Sequence, residues 1–162
     1  MIYTSRYSNP ELKTGKYTVV GITRGAPKFR LDYELAGNII EIAPPGYLFN
    51  EYNRERFTPQ YFRHMDRTGA RRVAEILARY QRLDLSKDVV LCCYEDVRTP
   101  DEWCHRLVFA EWWYSRTGEQ IEELPDPSVP KGRAVQHKEA KPKQTEPPKE
   151  PEKPAHEQLS LW

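Results

Sequence analysis

Five consecutive apolar residues near the middle of the chain place the strongest constraint on its fold. They are residues 89–93, with the sequence Val-Val-Leu-Cys-Cys. A strand that faces water on one side alternates apolar and polar residues, but this run has no polar position. Such a run is typical of a central strand covered on both faces, as in parallel sheets packed between other elements. The sequence therefore predicts an α/β fold.

Further segments of residues 1–124 supply strands and helices for this sheet. Predicted strands, each bounded by turn-forming residues, are residues 2–4, 17–23, 38–43 and 88–94. Apolar residues at helical spacing predict an amphipathic helix over residues 70–83. A capping box, Thr99-Pro100-Asp101-Glu102, predicts another helix that runs to about Arg116. We expect a Rossmann-like, mostly parallel sheet flanked by helices.

The composition changes sharply after Leu124. From there the chain carries most of its 14 prolines, interleaved with lysine and glutamate, and this segment accounts for much of the low mean hydropathy of −0.82. It has too little apolar surface to offset the conformational entropy lost on ordering. We expect a head formed by residues 1–124 and a disordered linker over residues 125–157.

An apolar cluster, Gln158-Leu159-Ser160-Leu161-Trp162, follows this hydrophilic linker. It resembles the sliding-clamp-binding motif of bacterial replication and repair proteins, Gln-Leu followed by Ser or Asp and then Leu-Phe, with Trp162 in place of phenylalanine. The resemblance implies a bacterial DNA sliding clamp as partner, bound through Gln158, Leu159, Leu161 and Trp162 in an apolar pocket. A different partner groove and folding back onto the head are the alternatives.

Polar residues follow the predicted strands at their carboxyl ends, where ligands bind in open α/β sheets. They are Ser5 and Arg6 after the first strand, Arg24 after the second and Glu95 after the fourth, with Cys104, His105 and Arg106 from the next helix. Arginines at one point can hold a phosphate or another anion. We expect an anion site formed by Ser5, Arg6, Arg24 and Arg106, with Glu95 as an acid or base.

Cys104 and His105 each have two interpretations. A thiolate near a helix N-terminus, beside histidine and arginine, has a lowered pKa and can act as a nucleophile. The capping box instead places Cys104 beyond the first turn, where the helix dipole has faded, which favours a buried structural thiol. His105 either orients Glu95 or a substrate, or is a hydrogen-bonded structural residue. Cys92 and Cys93 point to opposite faces of a strand, so no metal site is predicted.

Two motifs in the head resemble a known family. Residues 90–95 (Val-Leu-Cys-Cys-Tyr-Glu) and 104–106 (Cys-His-Arg) are similar to the hallmark of the bacterial domain-of-unknown-function family 488. In that family an apolar strand ends in Cys-x-x-Glu or Cys-x-Glu and precedes a Cys-His-Arg triplet. Residues 2–9 also resemble its opening strand and Ser-Asn turn. The resemblance covers residues 1–124 and implies a Rossmann-like head, but it leaves the activity open.

Aromatic and arginine residues alternate between the third predicted strand and the 70–83 helix. They are Tyr47, Phe49, Tyr52, Arg54, Arg56, Phe57, Tyr61, Phe62, Arg63 and His64. Such a stretch can stack bases and hold the phosphates of single-stranded nucleic acid. Alternatively, it is a short helix capped at Thr58-Pro59 whose rings belong to the core and whose arginines are solvated.

Charge and composition limit the function classes. The net charge of +1 gives no overall field towards nucleic acid, so DNA must be met through a local patch or a partner. No apolar run reaches the roughly 20 residues that span a bilayer, and the N-terminus has no apolar signal region. With 3 cysteines and no paired spacing, a reducing cytoplasm is expected. Neither a P-loop nor a glycine-rich dinucleotide turn is present, so no cofactor is expected.

The sequence therefore predicts a small DNA-associated or nucleotide-directed enzyme held at the sliding clamp by its tail. Hydrolysis of a phosphate or glycosidic linkage fits these residues, with Glu95 as the acid or base and Cys104 and His105 shaping the pocket. Two alternatives remain open. One is a non-enzymatic adapter that binds DNA or a nucleotide, and the other is a clamp-blocking protein of a phage or mobile element.

Overall fold

A computed structural model describes residues 1–130 and confirms the α/β class. Within these residues lies a five-stranded sheet of order β3-β2-β4-β1-β5, in which every pairing is parallel. The strands are β1 Ile2–Arg6, β2 Tyr17–Gly21, β3 Gly37–Asn38, β4 Asp88–Cys93 and β5 Glu122–Glu123. The α-helices are α1 Arg54–Thr68, α2 Ala70–Gln81 and α3 His105–Thr117. Short 3-10 turns lie at Pro10–Thr14 and Gly46–Leu48.

Strand β4 is the central strand that the apolar run predicts. It pairs with β2 on one side and β1 on the other, and residues 89–93 are all buried. Val89 and Leu91 join an apolar cluster with the three helices, whereas Val90 and Cys92 join a separate cluster on the opposite face. By this alternation Cys93 faces the helices and Cys92 faces away from them.

The two faces of the sheet are covered by different kinds of structure. Helices α1, α2 and α3 all pack on one face, through side chains such as Tyr61, Leu77 and Trp112. The other face is covered by the Pro10–Thr14 turn, which supplies Leu12, and by the loop between β2 and β3, which supplies Leu31, Tyr33 and Leu35. In the described part of the chain, the flanking helices therefore lie on one side of the sheet.

Two strands of this sheet differ from the sequence-based prediction. The third strand was expected over residues 38–43, but only Gly37–Asn38 pairs with β2. The chain then turns, with the Ile42 N–H donating to the Ile39 carbonyl at 3.3 Å. Strand β5 is absent from the sequence-based prediction because a pair of glutamates gives no strand signal, and it is held by pairing with β1.

Two helix starts also differ. Helix α1 begins at Arg54, with the Asn53 side chain accepting from the Arg56 N–H, and it continues through Pro59 instead of starting there. Helix α3 begins at His105, so the predicted helical start at Pro100 is wrong. The Thr99 hydroxyl has no hydrogen-bond partner among residues 1–130, while Asp101 adopts a left-handed conformation with φ 67°.

The contacts of the head reach beyond Leu124. The Leu124 N–H donates to the Thr4 carbonyl at 2.8 Å, and Asp126 and Ser128 both accept hydrogen bonds from Arg6. The rest of the predicted linker and the pentapeptide at residues 158–162 lie outside the described residues. Among residues 1–130, no helix is both long and apolar enough to cross a membrane.

Candidate functional site

The topology of the sheet creates a crevice between β2 and β4. From β2 the chain continues to β3 at one edge, and from β4 it continues to β5 at the other. The two connections diverge beyond the carboxyl ends of adjacent strands, which is where open α/β sheets bind ligands. Ile22 follows β2 at this point, Cys93 ends β4, and the first turn of α3 lies against both.

Four side chains meet at the crevice: Cys93, Glu95, Cys104 and His105, which we call the thiol cluster. Glu95 Oε2 lies 3.1 Å from Cys93 Sγ and 3.0 Å from Cys104 Sγ. His105 Nδ1 lies 3.3 Å from Cys93 Sγ and 3.7 Å from Cys104 Sγ. The structure thus brings together the three residues predicted as catalytic and adds Cys93.

Local structure explains why Cys104 and His105 point into the cluster. Cys104 is the N-cap of α3, with extended φ and ψ of −144° and 152°, and its side chain makes no capping bond. His105 is the first helical residue, and its Nε2–H donates to the Ile22 carbonyl at 2.8 Å. This bond fixes the ring and leaves Nδ1 facing the sulfurs. The sequence argument that placed Cys104 beyond the first turn is therefore wrong.

The electrostatics of the cluster favour a negative charge on Cys104. Burial opposes ionisation of this thiol, but a hydrogen bond with Cys93 and the charge of His105 outweigh it and hold the Cys104 pKa well below its usual value. Burial raises the pKa of Cys93 and of Glu95, and the neighbouring Cys104 raises both further. The pKa of His105 is raised because Cys104 outweighs the effect of burial. The side chains around the anionic Cys104 sulfur can therefore hold protons and donate them.

Glu95 is the most exposed member of the thiol cluster. Cys93, Cys104 and His105 are only 2%, 3% and 9% exposed, whereas Glu95 is partly exposed. Glu95 can exchange protons with a ligand, and the two sulfurs and the imidazole lie close to it.

Arg106 is occupied by a carboxylate. Its guanidinium is 1% exposed and donates twice to Glu123 Oε1, at 3.1 and 2.8 Å, and once to Oε2 at 3.0 Å. A further N–H donates to the Glu95 carbonyl at 2.8 Å. Arg106 therefore ties β5 and the loop after β4 to α3, and it holds the backbone of Glu95 in place.

The other predicted anion ligands also have partners, and they do not converge. Arg6 pairs with Asp126 at 2.7 Å and with Asp96 at 3.4 Å, and Arg98 pairs with the same two carboxylates. The Ser5 hydroxyl accepts from the Asn9 side chain at 3.0 Å. These groups fasten the residues after β5 to the head.

Arg24 stands apart from the other arginines. It is exposed beyond the end of β2 and donates to the Pro44 carbonyl at 3.3 Å. Of the predicted anion ligands it is therefore the one whose side chain is open to solvent.

The aromatic stretch divides between core and surface. Phe57 and Tyr61 are buried in α1 and stack at 5.3 Å between ring centroids. Tyr47, Phe49 and Tyr52 are 61%, 69% and 67% exposed. The core interpretation therefore holds for the α1 rings, and the preceding rings remain available for contacts with a ligand.

Cys93 and Ile22 are the parts of the site that the sequence did not predict. Cys92 and Cys93 point to opposite faces of β4, as the sequence predicts, and Cys93 lies on the face of Val89 and Leu91. That face is where the α3 helix packs. The Ile22 carbonyl carries no sequence signal, because any residue supplies a backbone acceptor.

Comparison with models of known protein families, with curated proteins and with solved structures gives no match. The resemblance to family 488 therefore stays an expectation from the sequence.

Proposed function

We propose that this chain is a small hydrolytic enzyme that acts on nucleic acid or a nucleotide and is held at the DNA sliding clamp by residues 158–162. The observation that carries the proposal is the thiol cluster. It gathers an acid or base, an imidazole and two sulfurs at the crevice where this fold class binds ligands.

The surroundings of the cluster suit an anionic, partly aromatic substrate. Arg24 is exposed beyond the end of β2 and offers a cation for a phosphate group. Tyr52, which is exposed, accepts a hydrogen bond at its carbonyl from Trp103, the residue before Cys104. An exposed aromatic ring can stack on a base. Glu95, partly exposed, would exchange a proton with the linkage that is cleaved.

The tail would raise the local concentration of the head at DNA. A tethered module reaches effective concentrations of about a millimolar, so a head that binds weakly can still act there. The resemblance of residues 158–162 to the clamp-binding motif supports this part of the proposal. It is independent of the chemistry of the head.

A pull-down with purified sliding clamp tests the tether. The intact chain should bind, and a chain ending at Glu157 should not. A chain with Glu95→Gln serves as the matched control, because it changes the head alone and should bind like the intact chain. Equal binding by the intact and the shortened chains would refute the clamp partner.

A non-enzymatic adapter or clamp blocker is the second candidate, and one observation favours it. Arg6 and Arg106 are engaged by Asp126 and Glu123, which leaves fewer cations for a phosphate substrate than the sequence predicts. The two candidates differ in how they respond to substitutions. A clamp blocker keeps its effect on clamp-dependent replication with Glu95→Gln and loses it when Leu161 and Trp162 are removed. An enzyme loses its effect with Glu95→Gln while clamp binding persists.

A further inference from the structure

The thiol cluster gathers three atoms that commonly bind metal ions. Cys93 Sγ, Cys104 Sγ and one ring nitrogen of His105 lie within 4.8 Å of one another. All three side chains are buried, and they come from the end of β4 and the start of α3. We propose that Cys93, Cys104 and His105 bind a zinc ion.

The distances agree with a tetrahedral site. With zinc–sulfur bonds of about 2.3 Å and zinc–nitrogen bonds of about 2.0 Å, a sulfur and a nitrogen bound to one tetrahedral ion lie roughly 3.5 Å apart. The observed separations from His105 Nδ1 are 3.3 Å to Cys93 and 3.7 Å to Cys104. An ion can therefore occupy the space between them with little movement of the side chains.

The surroundings of His105 and Cys104 favour metal binding by these two side chains. His105 donates its Nε2–H to the Ile22 carbonyl, so Nδ1 is the ring nitrogen that faces the sulfurs and that a metal ion would bind. The position of Cys104 at the N-cap of α3 adds the positive end of the helix dipole, which favours a thiolate. Two thiolates and one imidazole form a donor set that suits zinc better than magnesium or calcium, which prefer oxygen.

Glu95 lies against both of the sulfur ligands. Its Oε2 is 3.1 and 3.0 Å from them, closer than the His105 nitrogen, and a carboxylate oxygen can itself bind zinc as a fourth ligand. Catalytic zinc sites use three protein ligands and keep the fourth position for water.

This part of the inference rests on the proposed hydrolytic function. A metal ion held by these residues would supply a Lewis acid at the crevice, which would polarise the bond that is hydrolysed. In this arrangement Cys104 is a ligand of the metal and not a nucleophile.

Cobalt binding to the reduced full-length protein tests the site without any substrate. Cobalt replaces zinc in such sites and produces an intense thiolate-to-cobalt absorption band. We expect stoichiometric binding by the intact protein, with the band present. Cys93→Ser and Cys104→Ser should weaken binding by more than about 100-fold, since even loss of an outer-shell partner costs 10- to 100-fold.

Cys92→Ser is the matched control, because it changes the adjacent buried thiol on the opposite face of the same strand. It should leave the absorption band and the affinity unchanged. His105→Gln keeps an N–H for the Ile22 carbonyl and should lose binding while circular dichroism stays that of the intact protein. Absence of stoichiometric binding by the folded intact protein, or equal binding by the Cys93→Ser and Cys92→Ser variants, would overturn the zinc site.

The result separates the metal site from the proposed function. Glu95→Gln should retain the cobalt band because Cys93, Cys104 and His105 remain as ligands, and loss of the band in this variant would contradict the arrangement. If the protein binds zinc stoichiometrically but hydrolyses no nucleotide or DNA, the zinc site is supported and the enzymatic function is refuted. If hydrolysis continues at the full rate after a chelator has removed cobalt and zinc, the enzymatic function is supported and the catalytic use of the metal is refuted.

Discussion

Replacing Arg106 with methionine should destabilise the head far more than the same change at Arg116. Both arginines lie on α3, and both bind a carboxylate with two N–H groups, Arg106 to Glu123 and Arg116 to Asp66. They differ in burial. The Arg106 side chain is 1% exposed and its partner 30%, whereas Arg116 and Asp66 are 40% and 43% exposed. Methionine keeps most of the volume of the arginine stem in each case.

The expected costs follow from this difference. Removing one partner of a fully buried ion pair costs about 3–5 kcal/mol, because the other charge is left buried and unpaired. Glu123 is partly exposed, so water relieves some of this cost and we expect about 3 kcal/mol for Arg106→Met. For Arg116→Met we expect at most about 1 kcal/mol, which is the usual contribution of an exposed pair.

Urea denaturation followed by circular dichroism measures both values. With an m-value of about 1–3 kcal/mol/M, a loss of 3 kcal/mol lowers the midpoint by roughly 1–3 M. The Arg116→Met midpoint should move by less than about 1 M on the same scale. Equal shifts for the two variants would refute the reasoning, because burial would then not decide the contribution of the pair. A stable Arg106→Met protein that loses only ligand binding would instead support the anion site predicted from the sequence.

Two further predictions concern the sheet and the pH dependence of stability. Gly21→Ala should lower the free energy of unfolding by about 1–3 kcal/mol, because the added methyl group would meet the Asn38 amide oxygen and the Tyr7 hydroxyl at the end of β2. Urea denaturation measures this loss, and an unchanged midpoint would contradict this packing. Hydrogen bonds from Arg116 and Trp112 lower the pKa of Asp66 from its ordinary 3.8 to about 2. The ionised Asp66 therefore stabilises the fold at pH values above 3.8, and this stabilisation is lost as the pH falls towards about 2. As the pH is lowered through this range, the urea midpoint should fall less steeply for Arg116→Met than for the intact protein. Equal pH dependence of the two midpoints would contradict the stabilising role of the Arg116–Asp66 pair.

Periodicity allowed much of the fold to be predicted from the sequence. Residues 89–93 had to be a strand covered on both faces, and β4 is that strand. The 70–83 helix pattern corresponds to α2 at Ala70–Gln81 because its apolar residues lie on one face. These signals arise from many residues at once, so no single local contact can reverse them.

The start of α3 could not be predicted because distant contacts decide it. Thr99-Pro100-Asp101-Glu102 has the composition of a capping box, yet the loop before α3 is fixed from outside. Arg98 donates to the Asp126 and Ser128 carbonyls at 3.0 and 2.5 Å, and Trp103 donates to the Tyr52 carbonyl at 3.2 Å. These contacts keep the loop from becoming helical before His105 and outweigh the preference for a cap, which is worth about 1 kcal/mol.

For the site, the sequence showed which residue types matter but not how charges pair. Glu95, Cys104 and His105 do meet, since the end of β4 and the start of α3 are adjacent in any fold of this class. Arginines near strand ends looked like anion ligands, but Arg6 and Arg106 find Asp126 and Glu123, which come from the segment after α3. A sequence does not indicate which of several carboxylates an arginine will reach.

Hydrolysis of single-stranded DNA and of a panel of nucleotides, measured with the intact chain and with Glu95→Gln, tests the central claim most directly. Glu102→Gln is the control, because it makes the same change in the same loop at a carboxylate outside the thiol cluster. We predict turnover of at least one substrate by the intact chain and by Glu102→Gln, with a loss of about 100-fold or more in Glu95→Gln, as expected for removal of an acid or base. Equal turnover by Glu95→Gln and Glu102→Gln, or no turnover of any substrate by the intact chain, would contradict the account.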